Sequence, residues 1–201
     1  MINTRQFAEQ HLHLEDPALL QEIEQICSIQ SVKQGTHIID AGTQQMQLVF
    51  LYSGLFRSFT PGSGSRETTD SFSFRIGDPL LGSFDLQAPA CRSIEAMEDC
   101  LVFSAPMPFV HSILSRYPEA SNGYTRIIQN ALTRCWTMKL ILQKCNSRAR
   151  YQWFLDEYPS LSGRVPQKYI SSFLGTTPEN LSRIRSNPPA SRTPAPSVSI
   201  P

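Results

Sequence analysis

From residue 29 to residue 105 the chain is cut into strand-length pieces, and on both sides of that stretch a helical period prevails. His37–Asp40, Leu48–Tyr52, Leu55–Phe59, Thr68–Phe74, Ser93–Met97 and Leu101–Ser104 are β-prone runs. Gly35, Gly42, Gly54, Pro61-Gly62-Ser63-Gly64, Gly77-Asp78-Pro79 and Glu98-Asp99 separate them. Many short strands at near-even spacing predict an antiparallel roll, of the jelly-roll or double-stranded β-helix kind. With helices before and after, the fold class is α+β.

Residues 5–27 read as helical, with Phe7, Leu12, Leu19, Leu20, Ile23 and Ile26 at helical spacing and a start signal at Asp16-Pro17. After Pro106 the helical period returns over 108–116, and a longer helix is expected over 119–145. In the longer one, Tyr124, Ile128, Ala131, Cys135, Met138, Leu142 and Cys145 follow alternating four- and three-residue steps. Such a seam suits a coiled-coil partner, and it suits equally a single stripe lying on the roll. Ile127, Leu132, Trp136, Leu140 and Ile141 lie off the seam, so a second face is available. Shorter helices are expected at 147–157, 166–174 and 177–186. From Asn187 onward the chain carries five of its fifteen prolines and no apolar period, which predicts disorder.

Charge is divided along the chain. Residues 1–132 hold 8 Lys/Arg against 14 Asp/Glu; residues 133–201 hold 10 against 3. A basic C-terminal part predicts contact with a polyanion, or simply a solvated basic surface. No apolar run is long enough to span a bilayer and no signal peptide opens the chain, so a cytoplasmic protein without membrane contact is expected. Five scattered cysteines, none in a C-x-x-C pair, suggest reduced thiols and no metal site. His11 and His13 lack partners of metal-ligand spacing and read as surface residues. Neither a nucleophile elbow, a phosphate-binding loop nor a zinc-protease motif occurs, so no catalytic residues are assigned and an enzyme is not expected.

Residues 166–185 are the most informative segment. Pro166 suits a first helical turn; Ile170, Phe173 and Leu174 form a buried stripe. Gly175 ends that helix and permits a positive φ at a tight turn. Thr177-Pro178-Glu179 then starts a second helix, with Thr as N-cap, Pro next and an acid in the first turn. Leu181 and Ile184 face the first helix, leaving Pro178, Glu179, Asn180, Ser182 and Arg183 outward. Two helices joined at such a turn form a helix-turn-helix, whose second helix presents its N-terminal residues to the major groove. Arg183 suits guanine, Glu179 suits cytosine N4, and Thr177 and Lys168 suit phosphates. The alternative is an ordinary helical hairpin with surface charges.

The run Ile170-Ser171-Ser172-Phe173-Leu174-Gly175-Thr176-Thr177-Pro178-Glu179-Asn180-Leu181-Ser182-Arg183-Ile184-Arg185 resembles the helix-turn-helix of the Crp/Fnr family of transcription regulators. Arg148–Leu155 resembles the helix that follows the family's dimerisation helix, and residues 35–105 resemble its β-roll. The resemblance implies a sensor domain over 1–118, a dimerisation helix over 119–146 and a DNA-binding domain over 147–186, ahead of the tail at 187–201. It implies a homodimer on double-stranded DNA, with half-sites about 34 Å apart, and admits RNA polymerase as a partner. It further implies an effector pocket at Gly82, Ser83, Arg92 and Ser93, where Arg92 and Ser93 match the family's grip on a cyclic phosphate. Ser83 replaces the family's Glu and Ile94 its small Ala, which argues against cyclic AMP and for another small anion or no ligand; a salt bridge from Arg92 to a nearby acid is the alternative. The family's iron–sulfur type needs a cysteine cluster near the N-terminus, and only Cys27 lies there. Two departures stand out: the degenerate pocket, and Asn187-Pro188-Pro189 where members often carry a β-hairpin wing, so a winged-helix-like domain without its wing is expected. A roll that controls a protein partner without binding DNA is the competing function.

Overall fold

The computed structural model describes residues 3–62 and 67–187. Helices α1 (Thr4–His11) and α2 (Pro17–Ile26) precede eight strands: β1 (Ser28–Val32), β2 (His37–Ile39), β3 (Gln47–Ser53), β4 (Phe56–Pro61), β5 (Glu67–Ser73), β6 (Pro79–Leu80), β7 (Ser93–Ala96) and β8 (Cys100–Pro106). Helices α3 (Met107–Arg116), α4 (Pro118–Lys144), α5 (Ser147–Glu157), α6 (Gln167–Phe173) and α7 (Pro178–Ser186) follow. The disordered tail expected from residue 187 lies, from Pro188 on, outside the described residues, as does any wing built from it.

The strands form two four-stranded sheets, ordered β1-β8-β3-β6 and β2-β7-β4-β5. Strand pairs β1–β8, β2–β7, β3–β6, β3–β8 and β4–β7 are antiparallel; in β3 and β8, for example, Val49 stands opposite Ser104 and Leu51 opposite Val102. Side chains alternate across a strand, so β3 serves two cores. Val49 and Leu51 point into the roll with Ile39, Phe56, Leu80, Ile94 and Val102. Leu48 and Phe50 point outward, with Phe103 and Ala105 of β8, to a second core closed by Phe7, Leu19, Ile23, Val110 and Ile113. Burial on both faces is why Leu48–Tyr52 reads as an unbroken apolar run. Phe7 stacks on Phe103 with ring centroids 4.9 Å apart.

The helical stretch expected over 5–27 is two helices, the second beginning at the Asp16-Pro17 start signal. Asn3 caps α1, and Asp16 caps α2 by accepting from the amides of Ala18 and Leu19. Between them His13 adopts a φ of 56°. Two strands escaped the sequence reading: β1, a Ser-Ile-Gln-Ser-Val run with no fully buried residue, and β6, which is only two residues long.

The chain divides into two compact units, Met1–Arg66 with Asp70–Gln129, and Glu67–Thr69 with Asn130–Pro201, so the division falls inside α4. The first turns of α4 belong to the first unit because Ala120, Tyr124 and Ile127 pack in its outer core. In the second unit Ile141, Phe154, Leu161, Ile170, Phe173, Leu174, Leu181 and Ile184 are buried. Trp153, Phe154 and Tyr158 set their rings against Phe173, 5.7–6.3 Å between centroids. No helix among the described residues is long and apolar enough to cross a membrane.

Candidate nucleic-acid interface

Helix α6 ends at Leu174, and Gly175 makes the turn with a φ of 59°. A side chain there would be strained, and its Cβ would meet Arg150 Nη1 at 3.3 Å. Thr177 is the N-cap of α7: its Oγ1 accepts from the amide of Asn180 at 3.2 Å. Leu181 is 0 % and Ile184 8 % exposed, so α7 seats one stripe in the core of the second unit. Its other face is open: Thr177, Pro178, Glu179, Ser182, Arg183 and Arg185 are all exposed, as is Lys168 at the start of α6.

Within that face the polar groups hold one another. Glu179 is kept below the ordinary carboxylate pKa by its own backbone amide and by the Thr177 hydroxyl, so it is an ionised acceptor at the helix start. Asn180 is half-buried: its Nδ2 donates to Thr176 Oγ1 at 2.8 Å, and its Oδ1 accepts from Arg183 Nη2 at 3.0 Å. Asn180 is therefore a positioning residue for the Arg183 fork. Lys168 rests its ammonium 4.5 Å from the Tyr169 ring centroid.

Two residues of this region were not singled out from sequence. Arg185 adds an exposed cation two residues before Asn187; its place in the motif was visible but its exposure was not. Arg150 ties the unit together. Its Nη2 donates to Leu142 O at 2.6 Å and its Nε to Cys145 O at 2.9 Å, while Nη1 donates to Leu174 O at 3.0 Å and Gly175 O at 3.3 Å. One guanidinium thus satisfies end-of-helix carbonyls of both α4 and α6. No sequence signal marks this, because its acceptors are backbone atoms.

The four residues assigned to an effector pocket lie in the first unit. The Gly82 amide donates to Gln45 Oε1 at 3.0 Å, and a Cβ on Gly82 would stand 2.6 Å from Ala90 Cβ and 2.7 Å from Ile39 Cγ2. Close packing alone therefore demands glycine. Ser83 Oγ accepts from the amide of Asp85 at 3.1 Å, and the buried Ser93 Oγ accepts from that of Ala41 at 3.0 Å. Arg92 donates from Nε to Leu81 O at 2.9 Å and from Nη1 to Asp70 Oδ2 at 2.9 Å, with its guanidinium carbon 4.8 Å from the Phe84 ring centroid. Ile94, where the family carries Ala, is fully buried inside the roll. A cavity of about 360 Å³ opens elsewhere on the roll, between His37, Ile39, Asp40, Gln45, Gln47 and Val102; its walls do not include Gly82, Ser83, Arg92 or Ser93. No group of metal-ligating side chains occurs among the described residues.

An antiparallel roll with helices on its outer face, a long helix leaving it and a C-terminal helix-turn-helix define the Crp/Fnr-type regulator fold, and this chain has it. Solved structures share it over most of their length at low sequence identity. FixK2 from Bradyrhizobium japonicum matches with a TM-score of 0.71 and 18% identity, over 80% of this chain and 83% of that one. A putative transcriptional regulator of the Crp/Fnr family from Eubacterium rectale gives 0.70 and 21%, over 85% and 82%. The c-di-GMP-responsive global regulator CLP from Xanthomonas campestris gives 0.69 and 13%, over 85% and 90%. No family model and no curated protein matches the sequence.

Proposed function

We propose that this chain is a homodimeric, sequence-specific transcription regulator of the Crp/Fnr type that binds double-stranded DNA and is not an enzyme. The observation that carries the reading is α7: a capped helix after a positive-φ glycine, with Leu181 and Ile184 seated in the core and Glu179, Ser182, Arg183 and Arg185 on the open face. A helix so placed meets the requirement for entering a major groove, and the basic balance of residues 133–201 supplies the phosphate attraction. Dimerisation gives two such helices for two half-sites, and RNA polymerase is the protein partner the reading admits. Control by a small anion would act through Gly82, Ser83, Arg92 and Ser93.

The test is binding to duplexes selected from a random pool, titrated at several salt concentrations. The affinity is expected to fall linearly on a double-logarithmic salt plot, as counterions leave neutralised phosphates. Arg183→Ala is expected to cost about 1–3 kcal/mol on the selected duplex and to relax preference at one base pair per half-site. Lys168→Ala should weaken selected and scrambled duplexes alike and lower the salt slope by about one per subunit. Salt-insensitive binding, or recovery of no duplex, would overturn the reading.

A further inference from the structure

Arg92 is the cation on which an anionic effector would act, and the chain already supplies it with an anion. Its side chain is 12% exposed and that of Asp70 33%, with 2.9 Å between Nη1 and Oδ2. The arrangement is built from three directions. Nε is fixed by the Leu81 carbonyl at 2.9 Å, the guanidinium lies by the Phe84 ring, and Asp70 is itself held, its Oδ1 accepting from Ser71 Oγ at 2.9 Å. Phe84 is in turn anchored through its carbonyl, which accepts from the Tyr124 hydroxyl at 2.7 Å. The guanidinium is thus oriented, partly desolvated and neutralised before any ligand arrives.

We propose that Asp70 is an internal competitor for the anion position at Arg92. A small anion binds there only by displacing the Asp70 carboxylate, so Asp70 sets both the threshold and the selectivity of the pocket. A partly buried guanidinium left without a counter-anion is unfavourable, which is why the carboxylate occupies the position when no effector is present. A ligand offering one charge-assisted contact merely exchanges with Asp70 and gains little. One that also offers a second acceptor to the fork gains the difference. The inference deepens the regulator reading, since it concerns the control of that protein, but its measurement needs no DNA.

The experiment is calorimetric titration of the full chain with inorganic phosphate and, separately, with cyclic AMP. Asp70→Asn keeps the size of the side chain and removes its charge. It is expected to bind at least one of the two probes about tenfold or more tightly than the unsubstituted chain does. The gain should vanish when Arg92→Gln is added. If Asp70→Asn loses its native circular dichroism, Asp70→Ser, which keeps a small polar group, takes its place with the same expectation. Equal affinities in a folded Asp70 variant and the unsubstituted chain, or a gain that survives Arg92→Gln, would overturn the proposal. Loss of duplex binding by the unsubstituted chain would instead overturn the regulator reading and leave the Asp70 result standing.

Discussion

Glu22 shows how neighbours on a second helix change the chemistry of one side chain. Arg116 donates to its carboxylate from Nη1 at 2.8 Å and the Tyr117 hydroxyl donates at 2.6 Å, which holds its pKa near 2 instead of 4.5. A depressed folded pKa contributes stability that is present above the unfolded value and lost as pH falls through the folded one. The α2–α3 contact is therefore complete above pH 4.5 and weakens from there toward about 2. Glu22→Gln is expected to lower thermal stability at neutral pH and to flatten the acid limb of the melting-temperature profile across that window. An acid limb as steep in the variant as in the parent would show that Glu22 does not drive it. High salt should shrink the difference, since the pair is partly exposed. Gly82 and Arg92 carry a related lesson. Both are assigned to an effector pocket from sequence; in the structure Gly82 is demanded by Ala90 and Ile39, and Arg92 is paired with Asp70, twenty-two positions away.

At the scale of elements, the arrangement of α4, α5 and α6 depends on Arg150. Helix ends leave carbonyls without internal partners, and here four of them, on Leu142, Cys145, Leu174 and Gly175, converge on one planar fork. Arg150→Met preserves the aliphatic stem and removes every donor. It is expected to destabilise the chain by about 2–4 kcal/mol in urea unfolding, because several partly buried acceptors lose a charged donor together. Arg150→Lys should recover only part of this, since an ammonium cannot span carbonyls from two helices as a guanidinium does. A variant as stable as the parent would remove the clamp from the account. The elements themselves were largely readable: the cap at Thr177, the turn at Gly175 and the helix over 147–157 follow from local chemistry. What local chemistry did not disclose was β6, two residues that count as a strand only because Val49 and Phe50 pair with them.

For the whole molecule, the proposed homodimer turns on which face of the long helix is left open. The sequence seam runs through Tyr124, Ile128, Ala131, Cys135, Met138, Leu142 and Cys145, but part of it is used within the chain. Tyr124 packs in the outer core, and Met138, Leu142 and Cys145 are half-buried. The apolar surface left open is Leu132, 66% exposed, and Trp136, 49% exposed, beside the exposed Cys135 and half-buried Ile128. These four lie on one side of a helix, at steps of four, three and one. The proposed homodimer is therefore expected to meet there and not on Leu142. Leu132→Glu combined with Trp136→Glu should give a folded monomer in sedimentation equilibrium and reduce duplex affinity, since two recognition helices no longer act together. A dimer of unchanged mass would place the contact elsewhere.

Sequence by itself determined the order of parts: helices, a roll of short strands, a long helix and a helix-turn-helix with an outward Arg183. These features rest on interactions a few residues apart, such as the apolar periods and the cap and turn chemistry of Gly175 and Thr177. Tertiary structure alone decided which polar groups remain available. Arg92 is answered by Asp70, Arg150 by four carbonyls, and the free face of α4 is turned from Tyr124 toward Leu132 and Trp136. A desolvated polar or charged group is stable only with a partner, and that partner can come from any distance along the chain, so its identity follows from the packing and not from local pattern.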